Sequence, residues 1–257
     1  MIIESTANPF VKQVKKLKEK KNRKAEMRYV IEGVNVTLEF LTHMPGCAAD
    51  VIATPERAGE IPSKFAGITH IVSERVFAYL SDTKSPQGMM AVGKIVNQTP
   101  DFSDMHLLVY LDNVQDPGNV GTIIRTADAF GADAVILSPE SADIYNSKTV
   151  RSAMGSLFHL PVLYEEEYLS LAKKLKKDGF SILTGSLDAT SAPSEIDFSH
   201  GKNMICLGNE AHGVSDELVS VGVKKIKIPM PGKAESLNVA VAGAVLLYES
   251  VRQRGAV

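Results

Sequence analysis

Residues 111–131 read LDNVQDPGNVGTIIRTADAFG. The stretch runs from a short apolar segment, through a turn holding Asp116, Pro117 and Gly118, into residues with helical periodicity. Two later stretches are built alike: LGNEAHG at 207–213 and IPMPGKAESLNVAVAGAVLL at 228–247. Each joins an apolar run to a Gly- or Pro-rich turn, and the first and third then open a helix. Such a junction offers free backbone N–H and C=O groups to a ligand. Each also carries polar residues that a plain turn does not need: Asn119 and Arg125, Asn209 and Glu210, Ser236 and Asn238. Together they point to one composite site.

Around these stretches, strands alternate with helices. LLVYLDNV at 107–114, DAVILS at 133–138, PVLY, FSILTGSL, NMICLG and KKIKIPM read as strands. NVGTIIRTADAF, VRSAMGSLFHL, EEEYLSLAKKLKKDG and residues 237–253 read as helices, with Gly131 closing the first. The alternation predicts an α/β fold, a parallel sheet with helices on both faces. Upstream, residues 5–25 read as a basic helix. RYVIE at 28–32, VIAT at 51–54, THIVS at 69–73 and MMAVGKI at 89–95 read as strands. Helices are expected after Gly33, with Val34, Leu38 and Leu41 on one face, and at 74–82. This divides the chain into a small α/β domain at 1–96, a polar linker at 97–104 and a larger domain at 105–257.

The chain has 257 residues, 44% hydrophobic and 23% charged, with a net charge of −2. That is ordinary for a globular protein, and the net charge alone does not favour nucleic acid. The distribution does. Residues 12–28 hold Lys12, Lys15, Lys16, Lys18, Lys20, Lys21, Arg23, Lys24 and Arg28 against Glu19 and Glu26. Such a block fits a solvated helix face or a surface that neutralises phosphates. Cys47 and Cys206 lack the clustered spacing of a metal site, and no metal is expected. The apolar run from Leu237 to Tyr248 is too short to span a bilayer, and MIIESTANPF does not read as a signal peptide. A cytoplasmic protein with no membrane partner is expected.

Asp116-Pro117-x-Asn119-x-Gly121 with Arg125-Thr126-Ala127, then Gly208-Asn209-Glu210 with Gly213, then Ile228-Pro229-Met230 with Ser236-Leu237-Asn238-Val239, stand in a fixed order. In them the chain resembles the SpoU/TrmH family of RNA ribose 2′-O-methyltransferases, within the SPOUT class. The resemblance is strong over 105–257. It is weaker over 1–95, through Glu32-Gly33 and Ser85-Pro86-Gln87-Gly88, where the chain resembles the L30e-like RNA-binding domain. It implies a C-terminal trefoil knot and a bent S-adenosylmethionine in a pocket made by the second and third motif loops. Nothing in chain physics would propose such threading. The cofactor-binding positions implied are Leu207, Gly208, Asn209, Ile228, Met230, Ser236 and Leu237, with Thr184 and Gly185 at the end of SILTGS as further lining.

The implied reaction transfers a methyl group to a ribose 2′-hydroxyl, with rRNA, most of all 23S rRNA, as substrate and tRNA as an alternative. The catalytic positions are Asn119, Arg125, Glu210, Ser236 and Asn238. The family assigns proton removal to the arginine matching Arg125. A guanidinium is almost always protonated, so Arg125 is also read as a ligand for phosphate and for the developing alkoxide. Asn119, Ser236 and Asn238 sit where a helix cap would also stand, and Ile228 and Leu237 where plain core would. RNA contacts are expected from Lys12, Lys15, Lys16, Lys20, Arg23, Arg28 and Arg125. SPOUT proteins dimerise through the last helix. VAVAGAVLL at 239–247 is apolar all round, which suits either a central helix in a monomer's core or a helix buried on two sides in a dimer, and the resemblance implies the homodimer. Two positions depart from the family: Ala211 replaces a glycine, and Asn35 stands where an arginine is frequent. A non-catalytic RNA-binding or ribosome-assembly factor of the same fold is the competing reading.

Overall fold

The computed structural model describes residues 2–209 and 211–255. The strands are β1 (Ile2–Ile3), β2 (Arg28–Glu32), β3 (Ala48–Ala53), β4 (Thr69–Val72), β5 (Met89–Lys94), β6 (Leu107–Leu111), β7 (Ala134–Leu137), β8 (Val162–Tyr164), β9 (Phe180–Gly185), β10 (Lys202–Leu207) and β11 (Lys224–Ile226). The helices are α1 (Pro9–Lys16), α2 (Lys20–Glu26), α3 (Val34–His43), α4 (Glu74–Leu80), α5 (Pro117–Ala129), α6 (Ser147–Ala153), α7 (Tyr168–Lys177), α8 (Asp216–Ser220) and α9 (Val239–Gln253). They form two compact units. One is Met1–Asn97 with Asp143–His159, the other Gln98–Ala142 with Leu160–Val257.

The second unit is a six-stranded parallel sheet in the order β11-β9-β10-β6-β7-β8. Every residue of β6 is buried, as a central strand covered on both faces requires. Alternation splits the burial. Leu108 and Tyr110 join Ile136, Ile182, Met204 and Cys206 in a core closed by Ala172 and Leu175 of α7 and Leu218 of α8. Leu107, Val109 and Leu111, equally buried, belong to the opposite face. There α9 packs on α5 and on β10. Gly243 brings α9 close to the sheet, since a Cβ there would stand 2.7 Å from Leu207 Cδ1. Among the described residues no helix is long and apolar enough to cross a membrane.

The first unit has a mixed sheet in the order β1-β4-β3-β5-β2, with β2 and β5 antiparallel. α1 and α4 cover one face through Val11, Val14, Leu17, Val76, Phe77 and Leu80. α3 buries Val36, Thr37, Phe40 and Leu41, so of the Val34, Leu38 and Leu41 face expected from spacing Leu41 is buried and the other two are half-buried. The basic helix expected at 5–25 is two short helices, interrupted after Lys16.

The structure differs from the sequence-based division in one respect with consequences. Residues 143–159 lie inside the expected 105–257 domain, yet they pack into the first unit. Asp143 accepts a hydrogen bond from Arg23 at 2.6 Å, the Tyr145 ring stands 4.6 Å from Tyr29, and Phe158 stands 5.2 Å from Phe40. The helix expected across 150–160 is α6 plus a 3-10 turn at Ser156–Phe158. Left-handed Met154 (φ 51°) and Gly155 (φ 100°) divide them.

Candidate active site

β6 ends in Leu111, and the chain turns through Asp112 and left-handed Asn113 (φ 57°) before α5 begins. Asp116 caps α5, accepting from the backbone N–H of Gly118 at 2.7 Å and Asn119 at 3.0 Å, with Pro117 in the first turn. Asn119 therefore stands inside the first turn and is not the cap its position suggested. α5 buries Val120, Gly121, Ile123, Ile124 and Ala127, which leaves Arg125 exposed.

The second motif follows β10. Asn209 and Gly213 exchange backbone hydrogen bonds at 2.8 and 2.9 Å, closing a tight loop. A Cβ at Gly208 would stand 2.1 Å from the Gly213 carbonyl carbon, so glycine is required where the loop folds back. Asn209 Nδ2 donates to the Asn113 carbonyl at 3.1 Å, and Asp112 Oδ2 accepts from the Ser215 N–H at 2.7 Å. These bonds fasten the second motif to the first. The third motif ends at Asn238, which caps α9 by accepting from Ala240 N–H at 2.9 Å. Its Nδ2 donates to Asn119 Oδ1 at 3.1 Å. The first and third motifs are thus tied through two asparagines at the mouths of adjacent helices. Ser236 lies two residues before that cap.

These loops enclose a cavity of about 570 Å³. Its lining includes Thr184, Gly185, Leu207, Gly208, Asn209, Ile228, Met230, Ser236 and Leu237, which brings together every cofactor position expected from sequence. Thr184 Oγ1 donates to the Cys206 carbonyl at 3.0 Å, fixing β9 beside β10 at the cavity floor. Burial pushes the Cys206 thiol well above its ordinary range, so it stays neutral there. Asn119, Arg125 and Asn238 stand on the flanking helices and not on the cavity wall. Glu210, expected as a catalytic residue, lies outside the described residues.

Sequence reasoning missed Ser186, Asp188 and Lys225, which also line the cavity. Hydrogen bonds from Ser186 and from Lys225, at 2.9 Å, hold the Asp188 carboxyl down to about 2. Their signal was weak because they lie in a loop after β9 and on edge strand β11, outside the motif spacings.

The expected RNA contacts divide. Lys12, Lys16 and Lys20 are exposed. Lys15 is half-buried, its ammonium 4.6 Å above the Tyr79 ring and bonded to the Tyr79 carbonyl, and burial and neighbouring Lys18 bring its pKa down to about 8. Arg28 is half-buried, 3.9 Å from Asp50. Arg23 is a correction. The residue is 4% exposed, and its guanidinium pairs with Asp143 at 2.6 Å and donates to the carbonyls of Leu17 and Lys18. It is spent inside the first unit and presents no charge to a phosphate.

The description SpoU rRNA Methylase family fits residues 106–248, and MRM3-like substrate binding domain fits residues 8–91. The 23S rRNA (guanosine(2553)-2′-O)-methyltransferase RlmP of Bacillus subtilis (strain 168) is 39% identical over 96% of this chain and 97% of its own. An AdoMet-bound rRNA methyltransferase from Sinorhizobium meliloti superposes with a TM-score of 0.86 at 28% identity, covering 98% of this chain and 97% of its own. The SpoU methyltransferase AviRb from Streptomyces viridochromogenes, in complex with AdoMet, gives 0.82 at 27% identity over 96% and 98%. With three motif loops closing one cavity at the C-terminal ends of a parallel sheet, and with these matches along nearly its whole length, the chain belongs to the SpoU rRNA methylase family.

Proposed function

We propose that the chain is an S-adenosylmethionine-dependent methyltransferase acting on a ribose 2′-hydroxyl of rRNA, within 23S rRNA. The observation that carries this is the convergence of the cofactor positions on one cavity, with Asn119 and Asn238 bonded beside it at 3.1 Å. The cavity suits the cofactor. Its volume lies within the range of small-molecule sites, its walls include Leu207, Ile228, Met230 and Leu237, and Asn209, Ser236 and Asp188 supply polar groups. S-adenosylmethionine supplies a methyl group on a sulfonium whose thioether leaves uncharged.

The residues do the rest. The motif loops orient the electrophile, and Arg125 binds the target phosphate and stabilises the developing alkoxide. Asn119 and Asn238 fix the helix from which Arg125 projects. Ser236, and Glu210 outside the described residues, complete the set that positions the hydroxyl. The retention of this set together, and the names of the relatives, favour an enzyme over a non-catalytic binder and rRNA over tRNA. Ribose-methylation mapping of rRNA from a deletion strain tests it. One missing 2′-O-methyl group, restored by the wild-type gene, is expected, and an unchanged map would reject the reading.

The same proposal includes a trefoil knot in the motif loops, in keeping with β10 inserted between β6 and β9. It includes residence in the cytoplasm. It also includes a homodimer on α9. That helix buries Val239, Ala240, Gly243, Leu246 and Leu247 against its own unit, yet leaves Val241 49% and Tyr248 46% exposed. An apolar exposed stripe on an otherwise packed helix supports a partner there. Light scattering at micromolar concentration should give twice the chain mass, and Val241→Asp should give monomers without activity. A fully active wild-type monomer would exclude it.

A further inference from the structure

Outside the candidate active site, one cluster in the first unit has the make-up of a metal centre. Glu39 and His43 stand one turn apart on α3, and His159 closes the 143–159 segment that packs beside them. Glu39 Oε2 lies 3.2 Å from His43 Nε2 and 3.3 Å from His159 Nε2. The ligand atoms of all three fall within 4.8 Å of one another. Two donors on a tetrahedral ion with bonds of about 2.0–2.1 Å stand roughly 3.3–3.4 Å apart, so both measured edges already match. The third edge, between the two histidines, is no longer than 4.8 Å.

The frame around the cluster is closely packed. Phe40, next to Glu39, and Phe158, next to His159, are both buried and pack at 5.2 Å. The two imidazoles meet edge to face at 4.6 Å. Gly155 lies against the Glu39 side chain, where a Cβ would stand 3.1 Å from Glu39 Cγ, and its φ of 100° keeps the backbone in that position. His43, Glu39 and His159 side chains are 46%, 44% and 29% exposed, which gives an ion a path in and leaves room for water as a fourth ligand.

From this we infer that Glu39, His43 and His159 form a binding site for one divalent transition-metal ion. Two imidazoles and a carboxylate with an open position are a zinc-type donor set, and they disfavour magnesium and calcium, which take oxygen ligands. The ion bridges α3 to the 143–159 segment, so its role is to hold that segment in the first unit. This goes against the sequence-based expectation of no metal. That expectation rested on cysteine spacing, and His159 lies more than a hundred residues from Glu39 and His43.

The test is calorimetric titration of the tag-free, chelator-stripped full-length protein with zinc chloride. One ion per chain is expected, with a dissociation constant in the micromolar range or tighter. His43→Ala and His159→Ala should each weaken it about tenfold or more, with Glu39→Gln intermediate. Cobalt(II) should give the visible absorption of a four-coordinate ion in the wild type and lose it in the variants. Zinc should raise the melting temperature of the wild type and leave that of His159→Ala unmoved. Should an alanine variant fail to fold, His43→Gln and His159→Gln replace it. Absence of saturable binding below about 100 μM, or equal binding by wild type and both histidine variants, would overturn the proposal and leave a carboxylate shared by two histidines.

Discussion

Arg125 is exposed on α5 and makes no ion pair or side-chain hydrogen bond among the described residues. On the proposed reading this guanidinium acts on substrate charge, not on the fold. Arg125→Ala is therefore expected to lower methyl transfer to rRNA by about 100-fold or more. The dissociation constant for S-adenosylmethionine, read by calorimetry, should stay within about threefold. An affinity loss as large as the loss of turnover would refute the separation of roles. Arg23 is the opposite case. Its charge is satisfied by Asp143 and by two carbonyls, and removing one partner of a buried pair costs about 3–5 kcal/mol. Spacing alone cannot tell these arginines apart, because each sits in a polar helical pattern. Only burial separates a phosphate ligand from a structural pin.

At the scale of elements, the site is built where helices start. Asp116 and Asn238 cap α5 and α9, and the Asn238 amide also reaches Asn119 on the neighbouring helix. Asn238→Ala should cost about 1 kcal/mol for the cap, and Asn119→Ala less. The two substitutions are expected to be non-additive, since they remove one shared bond. A double-mutant cycle of thermal unfolding measures this, and strict additivity would mean that the Asn119–Asn238 bond contributes nothing. The sequence marked both asparagines as belonging to the site but put the first cap on Asn119. Asp116, three residues earlier with Pro117 behind it, wins because its carboxylate meets two free N–H groups.

At the scale of the whole molecule, the 143–159 excursion decides how the chain can be cut. A fragment beginning at residue 98 keeps the parallel sheet but strips the partners from Asp143, Tyr145 and Phe158. That fragment is expected to aggregate. One in which a short Gly/Ser linker replaces residues 143–159 should stay monodisperse and bind S-adenosylmethionine. Size-exclusion chromatography of the two fragments tests this, and a well-behaved simple truncation would contradict it. RNA capture belongs to this scale too. Lys12, Lys16 and Lys20 are exposed on α1 and α2, so replacing all three by Gln should flatten the salt dependence of rRNA binding. The log–log slope should fall by about 0.7–0.9 for each phosphate that is no longer neutralised. Arg23→Gln should lower the melting temperature and leave the slope alone. An unchanged slope in the triple variant would place the RNA on another surface.

The sequence by itself determined the α/β class and the order of the strands along the chain, and through its family resemblance most of the residues around the cavity, though not Ser186, Asp188 and Lys225. The class and the strand order are written in local chemistry: apolar runs such as LLVYL, turns with Pro117 and Gly208, and polar residues at helix mouths. Tertiary structure alone decided which of these groups meet. It set β10 between β6 and β9, carried residues 143–159 into the first unit, buried Arg23, and brought His159 to Glu39 and His43. Each of these outcomes joins residues far apart in the chain. Their energy lies in desolvation and in pairing across space, which no window of neighbouring residues records.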